Sequence, residues 1–396
     1  MGARPTQAVI LAGGRGERLK PITDDIPKPM IHFHGKPFLQ YLIEHLKEQG
    51  FKKVLLLLGY LPEQIKEYFG NGDSFGIKID YVTSETEDET GKRLKLAAEK
   101  LDPCFLLMYC DNYWPMQFDK MWQQFQNQSP LAQITVYSND DHYTKSNVIL
   151  DQNNYVIKYD KNRTSENLSG VDIGFAILNK EVISLIPAEN INFEKVVYTR
   201  LVGEKKLTSY LTHHRYYSVG SHERLKETER FLKNTRNIFL DRDGVLNKKA
   251  PKAEYITSVK DFVWLPEAKE ALLLLKENNF NIIIVTNQAG VARGKMTHAD
   301  LDSIHDYMTK ELLNIGVRIG AIYCCTHNWD DGCFCRKPKP GMFFYAQKDF
   351  CLDLSKTYLI GDDERDQEAG ELAGCKTIIL NKDLNLLKAV KDVVLQ

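Results

Sequence analysis

Four sulfur or imidazole donors stand inside the stretch YCCTHNWDDGCFCRKPKPGM: Cys325, His327, Cys333 and Cys335. Their pattern, C-x-H-x5-C-x-C, supplies a closed tetrahedral set for Zn²⁺. Cys324 is an alternative donor, and the tighter C-x-H spacing favours Cys325. Arg336 and Lys337 follow directly, fixed cations suited to a phosphoryl group. Zinc here would be structural, pinning an irregular loop so that both cations face a substrate. The chemistry itself is offered elsewhere. FLDRDGVLN ends an apolar run with Asp241 and Asp243. One carboxylate can attack phosphorus and hold a hard cation, while the other exchanges a proton with the leaving oxygen. IIIVTNQ adds Thr286 and Asn287, a hydroxyl and an amide for phosphoryl oxygens. LIGDDERD adds Asp362 and Asp363, where a carboxylate can complete a Mg²⁺ site. Each piece alone is an ordinary polar residue beside a strand end; in this order they make a phosphoryl-handling set.

A second set opens the chain. LAGGRGERLKPITDDIPKPM places Gly13, Gly14 and Gly16 just behind an apolar run. Glycines allow backbone N–H groups to cradle a triphosphate. Arg15, Arg18 and Lys28 add cations for a leaving pyrophosphate and an attacked α-phosphate. A glycine-rich turn alone is only a tight turn; the density of cations around this one gives it chemical content.

Positioning both sets requires strands that end at a common edge, and the chain supplies them. QAVILAGG, KKVLLLLGY, IKIDYVTSE, CFLLMYCDN and AQITVYSN read as strands, with helices such as residues 38–49 between them. NVILDQNNYVIKYDK reads as a hairpin turning at 152–154. SHERLKETERFLKNTRN, residues 221–237, reads as a solvated helix or connector. NIFLDRDG, NIIIVTNQ and TYLIGDDERD then begin a second series of strands, with helices in PEAKEALLLLKENN and THADLDSIHDYMTKELLNIG. The expected fold is α/β, two Rossmann-like doubly wound domains in tandem, 1–234 and 235–396, with the boundary near Asn234.

The 396 residues carry 52 Lys+Arg against 53 Asp+Glu, a net charge of −1. That balance, without like-charge blocks, argues against bulk nucleic-acid or anionic-membrane binding, so phosphate must be met at local sites. No apolar run reaches the roughly 18 residues that span a bilayer. The opening MGARPT fits a loose myristoylation pattern, but a strand begins too soon to leave a free arm. Eight cysteines without a secretory leader suggest reduced thiols or metal ligands and a cytoplasmic location.

The second half resembles the haloacid-dehalogenase superfamily of aspartate-nucleophile phosphatases. The resemblance implies Asp241 as nucleophile and Asp243 as general acid/base, with Thr286 and Lys337 binding phosphate. It implies Mg²⁺ held through Asp241, Asp243 and Asp362. DRDGVLN, TNQAGVARG, the zinc loop and CRKPKPGM are similar to the D-glycero-D-manno-heptose-1,7-bisphosphate 7-phosphatase branch. The histidinol-phosphate phosphatases share the zinc loop, but YITSVKDFVWLPEAKEAL and TNQAGVARG lean to the heptose branch. That branch implies Arg336 as a substrate contact, with Asn287 and Arg293 as further candidates.

Residues 7–232 resemble the sugar-1-phosphate nucleotidylyltransferases. The resemblance implies Arg18 and Lys28 as catalytic cations and Leu11, Ala12, Gly13, Gly14, Arg15, Gly16 and Gly91 around the nucleotide. It implies Asp111 of CDN as a Mg²⁺ ligand and Lys161 and Asp172 at the sugar phosphate. Two departures stand out. Ser218 occupies the place of the family's second metal aspartate, and Lys92 and Arg93 stand in TGKR, where small residues usually admit the base. GTP, CTP and ATP all stay open. Together the halves suggest two consecutive steps, a phosphatase exposing heptose 1-phosphate and a transferase consuming it with an NTP. The alternatives are another phosphorylated sugar or polyol, or an N-terminal module that binds nucleotide without turnover. A homo-oligomer is compatible with all of these.

Overall fold

The computed structural model describes residues 3–233, 235–251 and 254–395. Met1 and Gly2, on which the myristoylation pattern falls, and Asn234, the expected boundary, lie outside them. The chain forms two compact units, Met1–Leu232 and Lys233–Gln396.

The first unit is built on a seven-stranded sheet. Its spatial order is Leu207–Thr212, Ala132–Tyr137, Val171–Asn179, Cys104–Tyr109, Gln7–Ala12, Lys53–Leu58 and Lys78–Thr83. Gln7–Ala12 is buried at every position, as a continuous apolar run must be when both sheet faces are covered. Amphipathic helices such as Phe38–Glu48 and Phe118–Gln128 pack apolar stripes onto it. Two features depart from a parallel doubly wound sheet. Val171–Asn179 runs antiparallel to both neighbours, and its register with Ala132–Tyr137 breaks between Asp172 and Ala176. Such a break re-aims side chains, and here it falls at the cavity described below. The stretch expected as a solvated helix or connector forms a helix, His222–Leu232, but one packed into this unit rather than solvated all round. Thr228, Phe231 and Leu232 are buried, and Phe231 stacks on Tyr217 with ring centroids 3.9 Å apart. Its few apolar residues fall on one face, which outweighs its many charges.

The second unit holds a five-stranded parallel sheet, ordered Ile319–Cys325, Asn281–Asn287, Asn237–Leu240, Tyr358–Gly361 and Lys376–Ile379. The central Asn237–Leu240 strand is wholly buried. His298–Asn314 starts at a capping box, in which the Thr297 hydroxyl accepts from Asp300 N and the Asp300 carboxylate accepts from Thr297 N. The two edge strands, Ile319–Cys325 and Lys376–Ile379, were not read from the sequence. Both are only partly buried; Lys376–Ile379 is short and opens on polar residues, whereas IGAIYCC of Ile319–Cys325 is apolar enough to have been read as a strand. Among the described residues, no helix is long and apolar enough to cross a membrane.

Candidate active sites

In the second unit, a cavity of about 560 Å³ opens where the parallel strands end, and Asp241, Asp243, Thr286, Asn287, Arg336 and Lys337 line it. The Asp241 N–H, one residue past its strand, donates to Ile360 O at 3.0 Å. Its carboxylate accepts from Arg242 N at 2.8 Å and lies 3.0 Å from Lys337 Nζ. Lys337 is almost fully buried and also meets Val285 O at 2.9 Å and Asp366 Oδ1 at 2.5 Å. Burial and the nearby Asp366 and Asp243 carboxylates push Asp241 up to about 7, against the pull of Lys337. Burial opposes the charge on Lys337, but Asp241 and Asp366 outweigh it and hold the ammonium above its usual range. A carboxylate and a buried ammonium thus face each other at this cavity.

Asp243 is held differently. Its carboxylate accepts from Arg242 Nη2 at 2.9 Å, Asn247 Nδ2 at 2.8 Å and Gln288 Nε2 at 2.7 Å. Burial opposes its ionisation, yet Arg242 and these amides outweigh it, and the group sits below the usual carboxylate range. Arg242 is itself fully buried, with His305 Nε2 3.2 Å from its Nη1. An Asp243 side chain so engaged is not among the carboxylates that converge for a cation, contrary to the sequence expectation. The converging set is Asp241, Asp362 and Asp366, whose oxygens lie within 4.8 Å of one another. Asp366 escaped the sequence reading, although GDDERD carried it one helical turn beyond Asp362.

Two observations fit Mg²⁺ to this set. Asp362 Oδ1 is buried without a hydrogen-bond partner, and a side chain on Gly244 (φ +94°) would lie 2.2 Å from Asp362 Oδ2. The glycine of DRDG therefore keeps space open beside a carboxylate, and hard oxygen donors suit that ion. Lys249 Nζ meets the same Asp362 Oδ2 at 2.7 Å. Arg336 lines the cavity with Nη1 buried and unpartnered. Asn287 holds the Lys337 backbone through both its amide groups, at 2.9 and 3.1 Å. Arg293 sits at the rim, 4.3 Å over the Trp329 ring and 3.1 Å from Tyr255 OH.

The soft-donor cluster also closes. Cys325, His327, Cys333 and Cys335 have donor atoms within 4.8 Å of one another, with Cys325 Sγ 3.7 Å from Cys333 Sγ. A tetrahedron with Zn–S bonds of about 2.3 Å spaces its sulfurs by about 3.8 Å, so the set fits zinc. Cys325 ends a strand, where successive side chains alternate; Cys324 is not in the cluster, and burial pushes its thiol up to about 12.

In the first unit a second cavity, about 470 Å³, is lined by Arg18, Asp111, Lys161, Asp172 and Ser218 among others. Lys28 Nζ pairs with Asp111 Oδ2 at 2.6 Å. Burial opposes the charge on Asp111, and Lys28 overcomes it, leaving the carboxyl below its usual range. Ser218 pairs in register with Asn112 and lines the same cavity as Asp111. Mg²⁺ often rests on one carboxylate plus substrate phosphates, which this donor set allows. Lys161 Nζ lies 2.9 Å from the buried Glu194 carboxylate. Burial, with Glu194 nearby, pushes Asp172 up to about 6, while Tyr159 OH donates to it at 3.0 Å. Glu194 carried no sequence signal, since FEKVVY reads as an ordinary helix.

The glycine loop starts where the Gln7–Ala12 strand stops, which places Leu11 and Ala12 at its root. Gly16 has φ +72°, and Arg15 pairs with Glu87 at 2.8 Å. Arg93 does not face a base. It is buried and donates to Leu58 O at 2.8 Å and to Glu85 O and Thr86 O at 3.0 Å each. A side chain on Gly13 would lie 2.1 Å from Arg93 Nη1. The first glycine of the loop is thus required by an arginine that ties the loop to Leu58 and the segment 84–88, while Lys92 pairs with Asp88 at 2.7 Å. Gly91 packs on Ile191, whose Cδ1 a side chain would meet at 2.6 Å.

A nucleotidyl transferase family model matches residues 7–234, and a HAD-hydrolase-like model matches residues 334–390. The D-glycero-beta-D-manno-heptose-1,7-bisphosphate 7-phosphatase of Bordetella bronchiseptica is 38% identical over 138 residues, 35% of this chain and 76% of that protein. The D-glycero-alpha-D-manno-heptose-1,7-bisphosphate 7-phosphatase of Campylobacter jejuni is 38% identical over 146 residues, 37% of this chain and 82% of that protein. Among solved structures, HddC from Yersinia pseudotuberculosis complexed with GMP-PN is 26% identical with a TM-score of 0.50, covering 57% of this chain and 99% of its own.

Proposed function

Because the chain belongs to the nucleotidyl transferase family and, through its second half, to the heptose-1,7-bisphosphate 7-phosphatases, we propose that it performs two consecutive steps toward a nucleotide-activated heptose. In the first, the 7-phosphate of D-glycero-D-manno-heptose 1,7-bisphosphate is removed. In the second, the remaining 1-phosphate attacks an NTP and releases pyrophosphate. The observation that carries this reading is the pairing itself: a phosphatase of this class leaves a sugar 1-phosphate, and a sugar-1-phosphate transferase consumes one.

In the first step an Asp241 oxygen attacks phosphorus as the bond to the sugar oxygen breaks, and Asp243 supplies that oxygen's proton. Water then attacks the aspartyl phosphate, giving its proton back to Asp243 and freeing Asp241. An arriving phosphate dianion favours protonation of Asp243, since like charge opposes ionisation. Lys337 and Thr286 hold the phosphoryl oxygens, and Arg336, Asn287 and Arg293 bind or frame the rest of the substrate. Mg²⁺ held by Asp241, Asp362 and Asp366 would supply charge neutralisation on the phosphoryl oxygens. In the second step Arg18 and Lys28 neutralise the triphosphate, Lys161 and Asp172 orient the sugar phosphate, and Asp111 with Ser218 would hold Mg²⁺. No covalent intermediate is needed; positioning and charge suffice. GTP is the favoured base, supported by the GMP-PN bound to HddC. Zinc at Cys325, His327, Cys333 and Cys335 would fix the loop carrying Arg336 and Lys337.

Ser218 sustains one alternative, in which the first unit binds nucleotide without turnover. Purified heptose 1-phosphate with each NTP and Mg²⁺ separates the two. Pyrophosphate release, fastest with GTP, is expected; tight GTP binding without pyrophosphate would establish the alternative instead.

A further inference from the structure

Gln288 follows the phosphate-binding Thr286 by two residues, at the end of the Asn281–Asn287 strand, and only 1% of it is exposed. Its amide nitrogen makes two bonds at once, to Thr286 Oγ1 at 2.9 Å and to Asp243 Oδ2 at 2.7 Å. The direction of these bonds is fixed by chemistry. An ionised carboxylate only accepts, so the nitrogen of the amide, not its oxygen, faces Asp243. A hydroxyl has one proton to give, and by accepting from Gln288 it turns that proton elsewhere, toward the cavity that Thr286 lines.

We propose that Gln288 is a positioning residue for phosphoryl transfer: one buried amide sets both the orientation of the Asp243 carboxylate and the donor direction of the Thr286 hydroxyl. The inference rests on the phosphatase reading above. Arg242 meets both oxygens of the same carboxylate, Oδ1 from Nε at 3.2 Å and from Nη2 at 3.1 Å and Oδ2 from Nη2 at 2.9 Å, but it makes no bond to Thr286. Asn247 holds Oδ1 alone. Gln288 is therefore the contact that couples the acid/base to the phosphate-binding hydroxyl. Loss of the amide leaves Asp243 swung toward Arg242, and its proton no longer reaches the leaving oxygen.

Leaving-group dependence distinguishes this role from packing. An alkyl phosphate needs a proton on its departing oxygen, whereas p-nitrophenolate departs without one. The experiment compares kcat/KM of full-length protein and of Gln288→Met and Gln288→Glu on heptose 1,7-bisphosphate and on p-nitrophenyl phosphate. Both esters are measured in one preparation, so the folded fraction cancels in their ratio. Gln288→Met is expected to lower the sugar ester by roughly 10- to 100-fold and the aryl ester by at most about a third of that factor. Gln288→Glu, which places an acceptor against an acceptor, should do no better than Met. Parallel losses on both esters, or none, would overturn the role of Gln288 while leaving the phosphatase standing. Wild-type protein that hydrolyses neither ester would overturn the phosphatase reading, and this role with it.

Discussion

Asp241 and Asp243 lie two positions apart and meet opposite environments. One sits among carboxylates and is pushed up to about 7; the other is held below its usual range against a buried arginine. A cation held among Asp241, Asp362 and Asp366 would offset the push on Asp241 and keep it ionised for attack, and an arriving phosphate dianion would favour the proton on Asp243. Asp241→Asn is expected to lower phosphate release from the bisphosphate by roughly 1,000-fold or more, while pyrophosphate release from supplied heptose 1-phosphate and GTP stays within about twofold of wild type, since no nucleotide-site residue is touched. Asp172 gives a second residue-scale test. Its carboxyl is pushed up from an ordinary 3.8 to about 6 by burial, with Glu194 adding to it. The folded chain thus holds a proton that the unfolded chain has released, so this group's contribution to stability falls as pH rises from about 4 to about 6 and then levels. Asp172→Asn should therefore raise stability at pH 7 by roughly 2 kcal/mol and make no difference near pH 3, read by thermal unfolding across pH. The sequence made Asp241, Lys337 and the zinc set readable because their spacing is local. Asp366, Glu194 and Gln288 were missed because their meaning depends on neighbours far along the chain. Arg93 was misread for the same reason: its five backbone and hydroxyl acceptors come from Leu58 and the segment 84–88.

At the scale of elements, both sites lie where sheet strands end, and the loops there must hold irregular shapes. The zinc loop has little regular structure of its own between Cys325 and Gly341, so its four donors would substitute for a core. A Cys333→Ser, Cys335→Ser double change should remove about one equivalent of zinc and raise KM for the sugar phosphate more than it lowers kcat. Retained zinc in that variant would contradict the ligand assignment. The DRDG turn makes a sharper case. Gly244→Ala introduces a side chain at φ +94° and 2.2 Å from Asp362, so isothermal titration should show Mg²⁺ affinity lost with the Cys/His cluster untouched. Inner strands were legible because burial on both faces demands continuous apolar runs. The antiparallel Val171–Asn179 strand entered the sequence reading only through Asp172, since pairing direction leaves no local trace. The buried face of the helix His222–Leu232 hid behind its charges because three buried residues were enough to seat it.

At the scale of the whole chain, two compact units each carry a cavity lined by candidate site residues, and the proposal joins them through a shared chemical intermediate. The most direct test is ³¹P NMR of the purified full-length protein with Mg²⁺, heptose 1,7-bisphosphate and GTP. The 7-phosphate ester signal should disappear first, with inorganic phosphate rising, followed by a diphosphate-linked sugar nucleotide and pyrophosphate. A nucleotide sugar that forms while the 7-phosphate is still present would contradict the proposed order. Phosphate release that halts at the 1-phosphate with every NTP would contradict the second step.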